Sequence, residues 1–305
     1  MALIAAGSPE GLPPDKDANG APIVVVGKKL DKDQVKREVT DFVRQTGVTA
    51  QQESLARWVE GICPKVGGVD DKVAAIVVAR IRSVARDAGV PVAAENCRTN
   101  IAVVFTEDGA TMVREIADRE PQRFSKMRPV MLKQLTRPDL PVRWWYGHET
   151  RARDGGRSSS IAPPWSTGDS SSESGQSGAS GGGSILPMDG DSTSVNQYNS
   201  SLVSTQTIRV ITSATVVIDV KQSDGFSLDA VASYAALVAL AEIRIDAKPT
   251  NSILSLFEME SEVREFTKRD SAFLKAIYLL PLDRRIGQQR GKLVGQLVQA
   301  ELAGN

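Results

Sequence analysis

Few side chains in this sequence are of a type and spacing that does chemistry. The single histidine, His148, is followed by Glu149 at the end of an aromatic run. An imidazole beside a carboxylate can move protons or hold a metal, but either task needs partners from elsewhere. No second histidine exists to supply one. The ordinary reading of His148 is a surface residue at a strand end. The serines of the serine-glycine stretch offer no nucleophile arrangement, because no base stands in a recognisable position relative to them. Neither a P-loop nor a dinucleotide-binding glycine fingerprint follows a strand. Four carboxylates remain: Glu242, Asp246, Glu258 and Asp270. A carboxyl group in an apolar pocket can serve as a general acid or base, so these four are the candidates for an unusual hydrolase. All four fall at element ends, where solvation or helix capping is the default.

Cys63 and Cys97 are the other chemically distinctive pair. Each lies in a short break, Gly-Ile-Cys-Pro and Glu-Asn-Cys-Arg, on either side of a helical stretch. Without histidines they are too few for a structural zinc site. Bridged, they close a loop that stabilises by roughly 3–4 kcal/mol in the chain-entropy account. A disulfide is the favoured reading, and two reduced cysteines of a cytosolic protein are the alternative. Trp144, Trp145 and Tyr146 sit side by side and are the candidate binding surface. The competing reading is a strand that buries alternate rings.

The totals exclude some classes. Lysine plus arginine equals aspartate plus glutamate at 37 each, so no global field favours nucleic acid or an anionic membrane. No apolar run approaches the roughly 20 residues that span a bilayer. The 305 residues can form one large domain or two smaller ones with a sizeable core. The opening Met-Ala-Leu-Ile-Ala-Ala-Gly-Ser reads equally as the tail of a signal peptide or as a short disordered leader.

The elements that must position these groups centre on residues 225–243. Leu228, Val231, Ala235 and Val238 recur at helical spacing, and Ser227 with Asp229 supplies a capping hydroxyl and a carboxylate at the positive helix end. Between Asp229 and Glu242 the only ionisable group is the Tyr234 phenol, which predicts a core helix covered on all sides. Around it, residues 1–22 form a mobile leader and 23–26 a first strand. A helix from Asp31 or Asp33 to Arg44 buries Val35, Val39, Phe42 and Val43 and ends at Gly47. Asp70 opens a long helix with Val73, Ile76, Val77, Ile81 and Val84 inward, stopped by Gly89. Residues 100–106 are a strand, a helix carries Met112, Val113 and Ile116, a short one follows Pro129, and 142–146 is another strand. From 153 to 201 the composition collapses to Ser, Gly, Asp and Thr, with Trp165 its one sticky residue, predicting a disordered insertion. Residues 204–220 make one long strand or a hairpin. A turn or short helix over 251–257, a helix over 270–278 and a terminal amphipathic helix over 287–303 complete the chain.

Several segments resemble a group of uncharacterised bacterial proteins of secreted or periplasmic type: Ile-Cys-Pro at 62–64, Cys-Arg-Thr-Asn-Ile-Ala-Val-Val-Phe at 97–105, the helix at 233–241, Ser-Ile-Leu-Ser-Leu-Phe at 252–257 and the helix at 270–278. The resemblance implies that the two cysteines pair in an oxidising compartment. The C-terminal half is more loosely similar to zincin-like peptidases in its order of strand, metal-binding helix, Ser-Ile-Phe-type turn and Asp-x-x-x-Leu-x-x-x-Tyr-type helix. In that comparison Ser233 and Ala236 stand where the catalytic acid and a metal ligand would be, and neither can serve.

The expectation is therefore an α+β fold with a mixed sheet packed by helices, on a degenerate zincin-like scaffold. Its parts would be a leader (1–22), an N-terminal α+β part (23–152), the insertion (153–201) and a C-terminal part (202–305) packed on the first. The expected function is a non-catalytic secreted or periplasmic binding or structural protein. It would have a protein or small-molecule partner, no cofactor or metal, no nucleic acid and no membrane span. A hydrolase with an unusual carboxylate site and a cytosolic interaction protein are the alternatives.

Overall fold

A computed structural model describes residues 31–50, 54–125, 127–153, 204–205 and 207–303. The leader, the strand expected at 23–26, Trp165 and nearly all of the serine-glycine stretch lie outside the described residues.

The fold is α+β: seven α-helices and a four-stranded mixed sheet among the described residues. The strands are β1 (Pro64–Gly67), β2 (Ile101–Thr106), β3 (Val142–Ala152) and β4 (Thr207–Asp219), in the order β1-β2-β4-β3. β1, β2 and β4 run parallel, and β3 pairs antiparallel with β4. The stretch at 204–220 is thus one long strand. It inserts between β2 and β3, so the chain on either side of the serine-glycine stretch shares one sheet. β1 was not expected: four residues beginning with proline give little strand signal, and an edge position tolerates that proline.

Period-two alternation divides β3 between two layers. Trp144 meets Tyr234 with ring centroids 5.9 Å apart, on the face covered by α5 (Leu228–Leu240). Trp145 faces the other way, against Phe124 at 5.3 Å. That second layer holds α3 (Gly109–Arg119), a 3-10 turn at Pro121–Phe124 and α4 (Pro129–Leu135). On the first face, α2 (Asp71–Ala88) packs against β1, α5 and α6 (Lys268–Leu279), and α1 (Lys32–Thr46) lies along α7 (Ile286–Ala303).

Local signals explain where the helices start and stop. The Asp31 and Asp70 carboxylates accept the first free amides of α1 and α2, and Gly47 and Gly89 close them in left-handed conformation. One inward assignment fails. Ile76 is 49% exposed, because the buried stripe of α2 runs through Val77, Ile81, Val84, Ala85 and Ala88 and leaves its neighbour turned away. In α5 every residue from Ala230 to Leu240 is buried. A helix apolar on all sides reaches that state only when helices and sheet enclose it together.

Candidate functional site

The chemistry-bearing side chains gather where α5 ends. A helix finishing inside a core leaves its last carbonyls without water, and α5 has no glycine cap: Ala241 continues in extended conformation. Aromatic donors from three other elements fill the gap. Trp58 Nε1 donates to the Ala239 carbonyl at 2.9 Å, and the Tyr278 hydroxyl to Leu240 at 2.7 Å. Tyr146 Oη lies 2.6 Å from the Val238 carbonyl and 2.7 Å from that of Ala241, and accepts the Ile243 amide at 3.0 Å. Trp144 Nε1 donates to the Ile243 carbonyl at 2.8 Å. Burial pushes the Tyr146 phenol well above its usual range, so it stays a neutral donor.

These contacts correct the aromatic surface expected of Trp144, Trp145 and Tyr146. Trp144 and Trp145 are buried, and Tyr146 is half-buried with its hydroxyl engaged. The strand has a helical layer on each side, so its alternating rings have no outer face to occupy. Each amphipathic ring also pairs a large apolar body with one polar tip, which suits it to serve buried backbone.

Glu242 is the first residue past this cap. Arg209 grips it with two nitrogens, both at 3.1 Å, and a third bond ties Arg209 to the Ser54 carbonyl at 3.1 Å. The side chains of Glu242 and Arg209 are 12% and 13% exposed. His148 Nε2 lies 3.2 Å from Glu242 Oε1, the oxygen that Arg209 Nη2 also binds, but off the ring N–H axis. The approach is therefore an electrostatic contact rather than an aligned hydrogen bond. Burial pushes the Glu242 carboxyl up, but His148 and Arg209 together outweigh it and hold the group below the ordinary carboxylate range. His148 lies in mid-strand beside a bulge, not at a surface strand end. Glu149, its sequence neighbour, faces the opposite layer and pairs with Arg151 at 2.8 Å.

The remaining carboxylates go elsewhere. Asp270 is fully buried and joins the 3-10 turn at Ile253–Ser255 to α6. It accepts from the Ser252 hydroxyl, the Ile253 amide at 2.8 Å and the Thr267 amide at 3.0 Å. With Thr267 it forms a reciprocal capping box. Asp246 and Glu258 are about half-exposed and pair with Arg244 and Lys248. The four candidates share no partner, so the structure does not bring them to one cleft.

Ser233 and Ala236 are both 0% exposed. The Ser233 hydroxyl donates to the Asp229 carbonyl at 2.6 Å and accepts from Arg80 Nε at 2.8 Å. Among the described residues, no three of His, Cys, Asp or Glu gather in a way that could hold a metal ion. Cys63 and Cys97 form a disulfide across 34 positions. No helix of the described residues is long and apolar enough to cross a membrane.

Sequence reasoning missed Arg209 and the role of Tyr278. One signal was available: an arginine inside the β-branched run at 204–220 needs a carboxylate or carbonyl partner if the strand is central. Neither a scan of protein-family models nor searches of curated proteins and of solved structures finds a match for this chain.

Proposed function

We propose that this protein is a non-catalytic binding or structural component of an oxidising compartment, periplasmic or secreted. The packing of α5 carries the reading. The two positions that a zincin-like arrangement would devote to chemistry, Ser233 and Ala236, are sealed in the core, and the polar groups at the helix end are engaged with backbone carbonyls or one another. The disulfide supports the compartment, since such bonds persist where thiols are not kept reduced. Elemental analysis of the purified protein tests the first part, with no stoichiometric zinc expected; one zinc per chain overturns it. Thiol trapping in cells of the native host tests the second, because a reduced pair in the living cell favours the cytosolic alternative.

One observation favours a second reading. His148 Nε2 lies 3.2 Å from the Glu242 carboxylate, which sets an imidazole beside a largely buried acid, two groups of the kind general acid–base chemistry uses. Hydrolysis of an ester or peptide library by the wild-type chain, abolished in His148→Gln with the fold intact, would establish that hydrolase reading over the first.

A further inference from the structure

We propose that Cys97 is the thiol through which this protein exchanges disulfides, and that Arg82 is the positioning residue that activates it. The inference concerns the reactivity of the pair and stands apart from the function proposed above.

The two sulfurs have unlike surroundings. Cys63 is 6% exposed at the mouth of β1. Its amide donates to the Asn100 side-chain oxygen at 2.6 Å, and its carbonyl accepts the amides of Asn100 and Ile101 at 3.2 and 3.3 Å. Cys97 is half-buried in the loop between α2 and β2, with Arg82 Nη2 3.8 Å from its Sγ. Glu95 and Arg98 flank Cys97 in the chain, but Arg82 is the charged group in contact with its sulfur among the described residues.

The position of Arg82 does not depend on the sulfur–sulfur bond. Its Nη1 donates to the Ala93 carbonyl at 2.9 Å, and Nη2 reaches the Ala94 carbonyl at 3.4 Å. The same loop is tied to the strand side by the Ala93 amide on the Ile62 carbonyl at 3.0 Å and the Ile62 amide on the Pro91 carbonyl at 2.9 Å. When the disulfide opens, these ties keep Cys97 beside the guanidinium. A neighbouring cation favours the thiolate, whereas apolar burial favours the thiol. Cys97 therefore attacks, and Cys63 resolves.

The step balances with a disulfide donor as the co-reactant. The Cys97 thiolate attacks one donor sulfur, forming a mixed disulfide and releasing one donor thiolate. Cys63 then loses its proton to water and attacks Cys97 Sγ, closing the protein bond and expelling the second donor thiolate. Two protein thiols are oxidised and one donor disulfide is reduced.

The test uses the full chain, reduced with a phosphine, desalted and briefly labelled with iodoacetamide, and read by peptide mass spectrometry. Cys97 is expected to label roughly tenfold faster than Cys63, and oxidised glutathione to form its first mixed disulfide at Cys97. Arg82→Gln should slow Cys97 labelling at neutral pH and move the midpoint of its pH–rate profile upward, with Arg82→Lys restoring it. An arginine with only a structural role would leave that midpoint in place. Cys63→Ser supplies a free Cys97 without any reductant and should show the same profile. Equal labelling, Cys63 labelling first, or an unmoved midpoint in Arg82→Gln overturns the proposal. Should Arg82→Gln fail to fold, the wild-type ratio decides. Loss of near-ultraviolet circular dichroism in both the reduced chain and Cys63→Ser also overturns it, because the loop must then need the covalent bond.

Discussion

Glu242 and Asp270 are both carboxylates withdrawn from water at a helix end, yet their surroundings push them in opposite directions. Burial pushes each one up. At Glu242 a guanidinium and an imidazole overcome that push, and the group ends below its ordinary range. At Asp270 the partners are hydroxyls and amides; they pull down but do not win, and the group ends above it. Neutral donors satisfy the lone pairs of a buried carboxylate. Compensating its charge takes a cation. The first site is therefore electrostatically coupled across three elements, and the second is a local clasp between a turn and a helix.

The largest expected effect breaks the first site alone. Arg209→Ala leaves Glu242 buried without its guanidinium and should cost about 3–5 kcal/mol, read as a drop in the urea midpoint at unchanged slope. A loss below about 1 kcal/mol would place the pair among exposed ion pairs and collapse the contrast. Next comes Tyr146→Phe, which removes the hydroxyl beside Glu242 that serves the end of α5. The Ile243 amide and a carbonyl lose their partner, and about 1–3 kcal/mol of stability should go with them. Asp270→Asn should be milder, about 1 kcal/mol, because an amide retains one acceptor oxygen and the Ser252 hydroxyl can turn to accept. A cost equal to that of Arg209→Ala would show that Asp270 also depends on a charge partner.

The subtlest measurement uses pH. The folded pKa of Glu242 lies below its unfolded value, so its contribution is present above about pH 4.3 and is lost as pH falls through the folded value. For Asp270 the folded value lies above the unfolded one. Its contribution is present below about pH 3.9 and is lost as pH rises through the folded value. The stability difference between wild type and Glu242→Gln should shrink on acidification, and that between wild type and Asp270→Asn should shrink on raising the pH. Slopes of the same sign in acid denaturation series would sink the comparison.

Much of the scaffold was legible because its signals are local. Asp31, Asp70 and Ser227 mark helix starts, and Gly47 and Gly89 mark stops. The unbroken small and apolar run from Ala230 to Leu240, Tyr234 included, announces a core helix through composition alone. The cysteine breaks announced the disulfide. The site was far less legible. Arg209 and Glu242 are 33 positions apart, and Glu242 and His148 come from different strands and turns, so no window of sequence contains their meeting.

The sequence by itself determined most of the helices, the strands β2 and β3 and that α5 would be enclosed, and it favoured pairing of the two cysteines, because caps, periodicity and small apolar side chains act over a few residues. Only the tertiary structure decided that Trp144 and Tyr146 serve backbone carbonyls, that β4 runs between β2 and β3, and that one buried carboxylate meets a guanidinium and an imidazole while the other meets hydroxyls and amides. Those outcomes depend on which distant groups share a low-dielectric space, where unpaired donors, acceptors and charges are too costly to leave unmet.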